Sequence, residues 1–147
     1  MSIKKIVVAY SGGLDTSVMV KWLNSDKEQY LEESSKLLMN AIEGKVDLLV
    51  PELAKYEVGN VLLTSKKLTP KEANISLETL YNLPITFITE TPNLSKQAFE
   101  LAYNNKLTYY DAAFMSLAKE YDATLVTDNI KHQGKSSEIK VVSLKNY

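Results

Sequence analysis

A three-layer α/β/α sandwich around a parallel-type central sheet is the fold class this sequence predicts, and two observations predict it. Five short apolar runs recur along the chain, at 3–9, 47–50, 85–88, 124–126 and 140–144. Between them lie stretches with apolar residues three and four apart, flanked by helix start and stop signals. Strands that alternate with helices in this way are joined in parallel by helical crossovers, which cover the faces of the sheet.

Each element has its own warrant. Ile3 to Ala9 (IKKIVVA) reads as a buried strand. Asp15 to Leu23 reads as a short helix with Val18, Trp22 and Leu23 inward and Trp22 in the core. Glu28 to Glu43 has helical spacing, with Tyr30, Leu31, Leu37, Leu38 and Ile42 as its apolar set. Gly44 follows as a natural stop. Asp47 to Val50 is the second strand. Pro51 suits the first turn of a helix over Pro51 to Ser65, where its missing N–H costs nothing. Thr69 and Glu72 form a capping box that opens a helix to about Tyr81. Ile85 to Ile88 is a strand, and Asn93 to about Asn104 a helix. Thr108 caps a helix that runs to Tyr121, and Thr124 to Val126 and Lys140 to Leu144 are the last strands. The polar stretch from Lys131 to Glu138, which holds His132, is expected to be loop.

Composition narrows the chemistry. A length of 147 residues with 45% hydrophobic content suits one domain over 1–147 with a real core. No run approaches the roughly 18 to 20 apolar residues needed to span a bilayer. The amino terminus has no secretory pattern, because Ser11-Gly12-Gly13 interrupts its short apolar run. A soluble, cytoplasmic protein with no membrane partner is expected. There is no Cys, so disulfides and thiolate metal sites are excluded. One His argues against structural zinc and against a Ser-His-Asp triad. All 17 basic residues are Lys, against 18 acids, so any contact with nucleic acid rests on a local patch or on a metal that neutralises phosphate.

Four carboxylates stand in unusual places. Asp128 directly follows the strand TLVT, and Asp15 follows the first strand through a short Gly-containing segment. Ligands of open α/β sheets bind beyond the carboxyl ends of the strands, so both acids are candidates for one cleft. A helix cap at Asp15 and an Asx-turn at Asp128 are the plainer alternatives. Glu57 lies on or beside the stripe Ala54, Val58, Val61, Leu62. A carboxylate there costs free energy unless a metal, a Lys or the wet edge of the stripe compensates it. Asp111 stands three residues after Thr108, as a capping acid would, yet shares a face with Phe114, Met115 and Ala118. Together the four acids form a hard-oxygen set suited to Mg²⁺ or Mn²⁺. The matching chemistry is phosphodiester hydrolysis, with a polarised phosphoryl oxygen, an activated water and a carboxylate or hydroxide base.

The segments that carry these acids resemble the motifs of the PIN-domain nucleases, in particular the VapC-like toxins of toxin–antitoxin pairs. Leu14 to Leu23 is similar to the first motif, Pro51 to Val61 to the second, Tyr109 to Lys119 to the third and Ala123 to Asn129 to the fourth. The resemblance implies a metal-dependent endoribonuclease acting on RNA. It also implies a homodimer, silenced by an antitoxin whose segment fills the cleft. Carried over by motif, Asp15, Glu57, Asp111 and Asp128 are the acids, and Thr16, Ser17 and Thr127 are hydroxyl partners that orient them. The same fold used as a non-catalytic binding module is an alternative. This chain departs from the family in one respect: Ser11-Gly12-Gly13 separates the first strand from Asp15.

Lys4 to Leu23 also resembles the start of argininosuccinate synthase. There a Ser-Gly-Gly-x-Asp-Ser/Thr loop cradles pyrophosphate with its backbone N–H groups. That resemblance implies an ATP-binding loop of Ser11, Gly12, Gly13, Asp15, Thr16 and Ser17, with a plain glycine turn as the simpler reading. Tyr109 and Tyr110 suit either base stacking or a surface contact. Lys21, Lys131 and Lys135 suit either phosphate contact or solvated surface.

Overall fold

A computed structural model describes residues 2–9, 18–24, 30–127, 130 and 136–147. Five strands form one sheet: β1 (Lys4–Val8), β2 (Val46–Pro51), β3 (Ile85–Ile88), β4 (Thr124–Thr127) and β5 (Val141–Ser143). Their order is β3-β2-β1-β4-β5, and every neighbouring pair is parallel. Among the described residues six helices flank the sheet: α1 (Val18–Leu23), α2 (Leu31–Ile42), α3 (Ala54–Thr64), α4 (Pro70–Asn82), α5 (Pro92–Asn105) and α6 (Tyr109–Glu120). A 3-10 turn, Leu144–Asn146, ends the chain. The predicted sandwich is the observed one. Helix α1 packs with α2, α3 and α4, while α6 packs on α5 and covers β1, β2 and β4.

The core follows the apolar patterns. Ile6, Val7 and Val8 of β1 have no solvent exposure, as expected of the middle strand of a parallel sheet covered on both faces. On α3 the buried residues are Ala54, Val58, Val61 and Leu62, the stripe read from spacing. Helix α6 is buried along 112–118, and the Ser116 hydroxyl donates to the Leu94 carbonyl of α5 (3.1 Å), which satisfies a polar group inside the packing.

Caps fix the helix starts. The Thr69 side chain accepts from the Glu72 N–H, and the Glu72 carboxylate accepts from the Thr69 N–H (2.8 Å), completing the box. The Thr91 and Thr108 side chains accept from the Leu94 and Asp111 N–H groups at the starts of α5 and α6, without the second half of the box. Gly44, just past α2, has φ +70°, the left-handed conformation that favours glycine.

Four expectations are corrected. Pro51 is not in a helix. It ends β2 in register with Ile88, and the next N–H, that of Glu52, donates to the Ile88 carbonyl (2.9 Å). A strand end tolerates proline as well as a helix start does, and α3 begins only at Ala54. Trp22 is half-buried at the rim of the core, with its indole N–H donating to the Ser34 carbonyl (2.8 Å). Ile42 is 59% exposed and Tyr30 is also exposed, because α2 buries only Ser34 and Leu37. Lys21 is buried on α1 and is no surface lysine. The Asp15–Thr16–Ser17 start predicted for the first helix, Asp128, Lys131, His132 and Lys135 lie outside the described residues.

Candidate metal centre

The strand order changes direction beside β1. From β1 the chain builds outward through β2 and β3, then returns to place β4 on the other side of β1. The carboxyl ends of β1 and β4 therefore adjoin at a topological switch point, where α/β sheets place their ligands. The Ala9 N–H donates to the Val126 carbonyl (2.9 Å) and closes that seam. Thr127, the last residue of β4, is fully buried there, and Asp128 is the next residue in the chain.

Two of the predicted acids come within electrostatic reach of each other, on helices that start near the carboxyl ends of β2 and β3. Glu57 lies in the first turn of α3, and Asp111 in the first turn of α6. Helix α3 starts at the carboxyl end of β2 because only a two-residue turn separates them. The start of α6 lies beside the carboxyl ends of β2 and β3, since Tyr109 and Tyr110 line one cavity with Pro51 and Ile88. Burial first, and then the charge of Asp111, push the Glu57 carboxyl up to about 8. Its Oε2 is buried and has no hydrogen-bond partner among the described residues. Asp111 is positioned by its cap: the Thr108 hydroxyl donates to Oδ2 (2.8 Å), while the Asp111 N–H donates to the Thr108 oxygen (3.1 Å).

A buried carboxyl with an unpartnered oxygen, kept protonated by burial and by the charge of Asp111, is a costly arrangement in a stable fold. A divalent cation removes the cost. It would supply the missing partner to Glu57 and neutralise the repulsion from Asp111, and hard oxygen donors of this kind suit Mg²⁺. The residues present fit such an ion. Glu57 and Asp111 are the predicted pair that the described residues bring together. Among those residues no third acid or His joins them to make a group of three. Asp15, Asp128, Thr16 and Ser17 are outside the described residues.

Sequence reasoning missed a cavity of about 340 Å³ lined by Tyr56 and Tyr110, the chain neighbours of Glu57 and Asp111, but not by the two acids themselves. Its walls include Pro51, Leu53, Ile88, Leu94 and Leu117, with Tyr56, Tyr109 and Tyr110 also lining it. Glu52 and Glu90 line it too; the Tyr109 hydroxyl donates to Glu90 (2.7 Å) and Lys55 pairs with Glu52 (3.3 Å). The exposed Tyr56, one residue before Glu57, was the available sequence signal.

A parallel α/β sandwich with paired acids near its strand ends defines a class, and comparison with known proteins narrows it. The family model of the PIN domain matches residues 14–134, so the chain belongs to the PIN-domain family. Solved structures share the fold. A VapBC2 complex of Rickettsia felis bound to a promoter DNA fragment superposes with a TM-score of 0.66 at 17% identity, covering 96% of this chain and 98% of the other. A DNA-bound VapBC of Salmonella typhimurium gives 0.64 at 13%, covering 97% and 99%. A toxin–antitoxin complex of Klebsiella pneumoniae gives 0.61 at 16%, covering 96% and 97%.

Curated relatives are of another kind. Argininosuccinate synthase of Saccharophagus degradans is 86% identical over 22 residues, 15% of this chain and 5% of that protein. The same enzyme of Oceanobacillus iheyensis is 34% identical over 112 residues, 69% of this chain and 25% of that protein. The chain spans a quarter or less of the length of these two relatives.

Proposed function

We propose that this protein is a divalent-metal-dependent endoribonuclease, the toxin of a toxin–antitoxin pair, acting in the cytoplasm as a homodimer. The observation that supports the reading is the buried Glu57 carboxyl, its Oε2 without a hydrogen-bond partner among the described residues and within electrostatic reach of Asp111, in a chain of the PIN-domain family. Asp15, Glu57, Asp111 and Asp128 hold Mg²⁺ or Mn²⁺, with Thr16, Ser17 and Thr127 orienting them. The bound ion supplies Lewis acidity toward the phosphoryl oxygen and lowers the pKa of water. The side chains do the remaining work. Glu57 would have to give up its proton to serve as a ligand, Thr108 fixes the Asp111 carboxylate, and one acid would accept the proton of the attacking water. The antitoxin reading draws on the toxin–antitoxin complexes among the structural relatives, and the apolar cavity lined by Tyr56, Tyr109 and Tyr110 offers room for a segment of such a partner.

The test is cleavage of a labelled RNA with Mg²⁺ or Mn²⁺. EDTA is expected to abolish it, and Asp111→Asn to reduce it by about 10²-fold or more, with the melting temperature kept. A metal-independent rate, or full activity of Asp111→Asn, overturns the assignment.

The short, high identity to argininosuccinate synthase favours a second reading, nucleotide binding through Ser11, Gly12, Gly13, Asp15, Thr16 and Ser17. It predicts saturable ATP binding that Gly12→Val abolishes. No binding of ATP by the unmodified protein rules it out.

A further inference from the structure

Helix α3 buries one side and leaves the other bare. A helix turns by about 100° per residue, so the side opposite the buried stripe Ala54, Val58, Val61 and Leu62 carries Tyr56, Gly59, Asn60 and Leu63. Tyr56 is 78% and Leu63 70% exposed, and Asn60 is exposed as well. The charged residues of the helix, Lys55 and Glu57, lie off this face. We propose that this face of α3 is where two copies of the chain meet, with the helices antiparallel about a two-fold axis that passes between Gly59 and Asn60.

The argument begins with Gly59. Glycine inside a helix is destabilising relative to alanine, so its presence needs a reason. Turn geometry is not the reason, since Gly59 does not have a positive φ. Packing within the chain is not the reason either, because a Cβ at this position meets nothing within 4 Å among the described residues. A gap in the middle of an exposed, uncharged helix face leaves room for the backbone of a second helix to come close.

The face is complementary to itself. A two-fold contact presents the same patch twice. An axis between positions 59 and 60 sets Tyr56 opposite Leu63 of the second copy and Leu63 opposite its Tyr56, while each Gly59 receives the other copy's Asn60. Each ring thus meets an aliphatic side chain across the glycine gap. Tyr56 also lines the apolar cavity together with Tyr110, which is 62% exposed, so the apolar surface continues from α3 to the start of α6. Continuous exposed apolar surface of this kind marks association sites.

The two ends of the face agree in charge. Glu52 and Glu90 line the cavity at the start of α3, where Lys55 pairs with Glu52 and leaves Glu90 as the excess acid. Lys66 and Lys67 follow the end of α3. Antiparallel pairing brings the acidic end of one copy to the basic end of the other and opposes the two helix dipoles favourably. An unrelated partner would not require the two halves of this face to match each other, whereas a second copy does. The proposal gives a location to the homodimer of the proposed function, rests on that assembly alone, and does not depend on the nuclease reading.

The experiment is sedimentation equilibrium of the intact protein in EDTA, so that nuclease activity plays no part. A dimer is expected. Leu63→Lys and Gly59→Leu are each expected to weaken it at least tenfold, the first by placing a charge against Tyr56 and the second by filling the gap. Both positions are open in the single chain, and circular dichroism checks that the variants fold. Ile42→Lys, at an exposed apolar residue of α2, is expected to leave the dimer unchanged. The chain has no Cys, so Asn60→Cys reports the axis directly: mild oxidation is expected to link two copies through it, and not through Ile42→Cys. A dimer that survives both Leu63→Lys and Gly59→Leu overturns the face and leaves the homodimer standing. A protein that stays monomeric at every concentration overturns both, and neither result bears on RNA cleavage.

Discussion

Glu57 and Asp111 come from helices that belong to different crossovers, yet the charge of Asp111 acts directly on the Glu57 carboxyl. With burial it raises that group from an ordinary value of 4.5 to about 8. At neutral pH the metal-free protein therefore holds a proton at this position, and the pair carries one negative charge rather than two.

Stability is expected to fall as pH rises from about 5 to above 8. Unfolded, Glu57 loses its proton near 4.5; folded, it keeps the proton until about 8. Between those values the native state binds more protons than the unfolded state, and raising the pH favours unfolding. Thermal melts of the metal-free protein across that range measure the slope. Glu57→Gln, neutral at every pH, is expected to flatten it and to be the more stable protein above pH 8. An unchanged slope in Glu57→Gln assigns the effect to other groups.

Divalent cation binding is expected to release a proton from Glu57 below pH 8 and to tighten as the pH approaches that value. Titration calorimetry with Mn²⁺ in buffers of different ionisation enthalpy counts the protons. Asp111→Asn is expected to weaken binding sharply. A proton count of zero at pH 6.5 contradicts the assignment of Glu57 as a ligand.

Thr108 serves both a helix and an acid, and substitution is expected to separate the two roles. Thr108→Ala removes a cap worth about 1 kcal/mol and frees the Asp111 carboxylate. It is expected to lower Mn²⁺ affinity about tenfold, as loss of a group that orients a ligand does. Thr108→Ser keeps the hydroxyl and is expected to restore both. Thr69→Ala removes a comparable cap on α4 and is expected to cost similar stability with metal affinity unchanged. Equal metal affinity in the two alanine variants removes Thr108 from the site.

Gly44→Ala is expected to cost about 1 kcal/mol. The penalty is conformational, since a Cβ at this position meets nothing within 4 Å and the backbone sits at φ +70°. Denaturant unfolding measures it, and a neutral result shows that the turn relaxes.

The fold was legible because its patterns are local and redundant. The stripe Ala54, Val58, Val61, Leu62 is a periodicity, and the Thr69–Glu72 box is a pair three residues apart. Pro51 misled because its chemistry suits a strand end as well as a helix start, and only pairing with Ile88 decides between them. Ile42 and Tyr30 misled because α2 is covered over a narrower stripe than its apolar content suggests. At the site, spacing marked Glu57 and Asp111 as inward acids. Their mutual repulsion was not legible, because it depends on how α3 and α6 meet. The cavity lined by Tyr56 and Tyr110 is built from residues of α3, α5, α6 and two strand ends, so no single stretch of sequence announced it.

The seam between β1 and β4 has a consequence for synthesis. It joins residues more than a hundred positions apart, so a nascent chain emerging from the ribosome carries β1 long before its central neighbour exists. Until β4 has emerged, the middle strand has one open edge, and the cleft at its end lacks a wall.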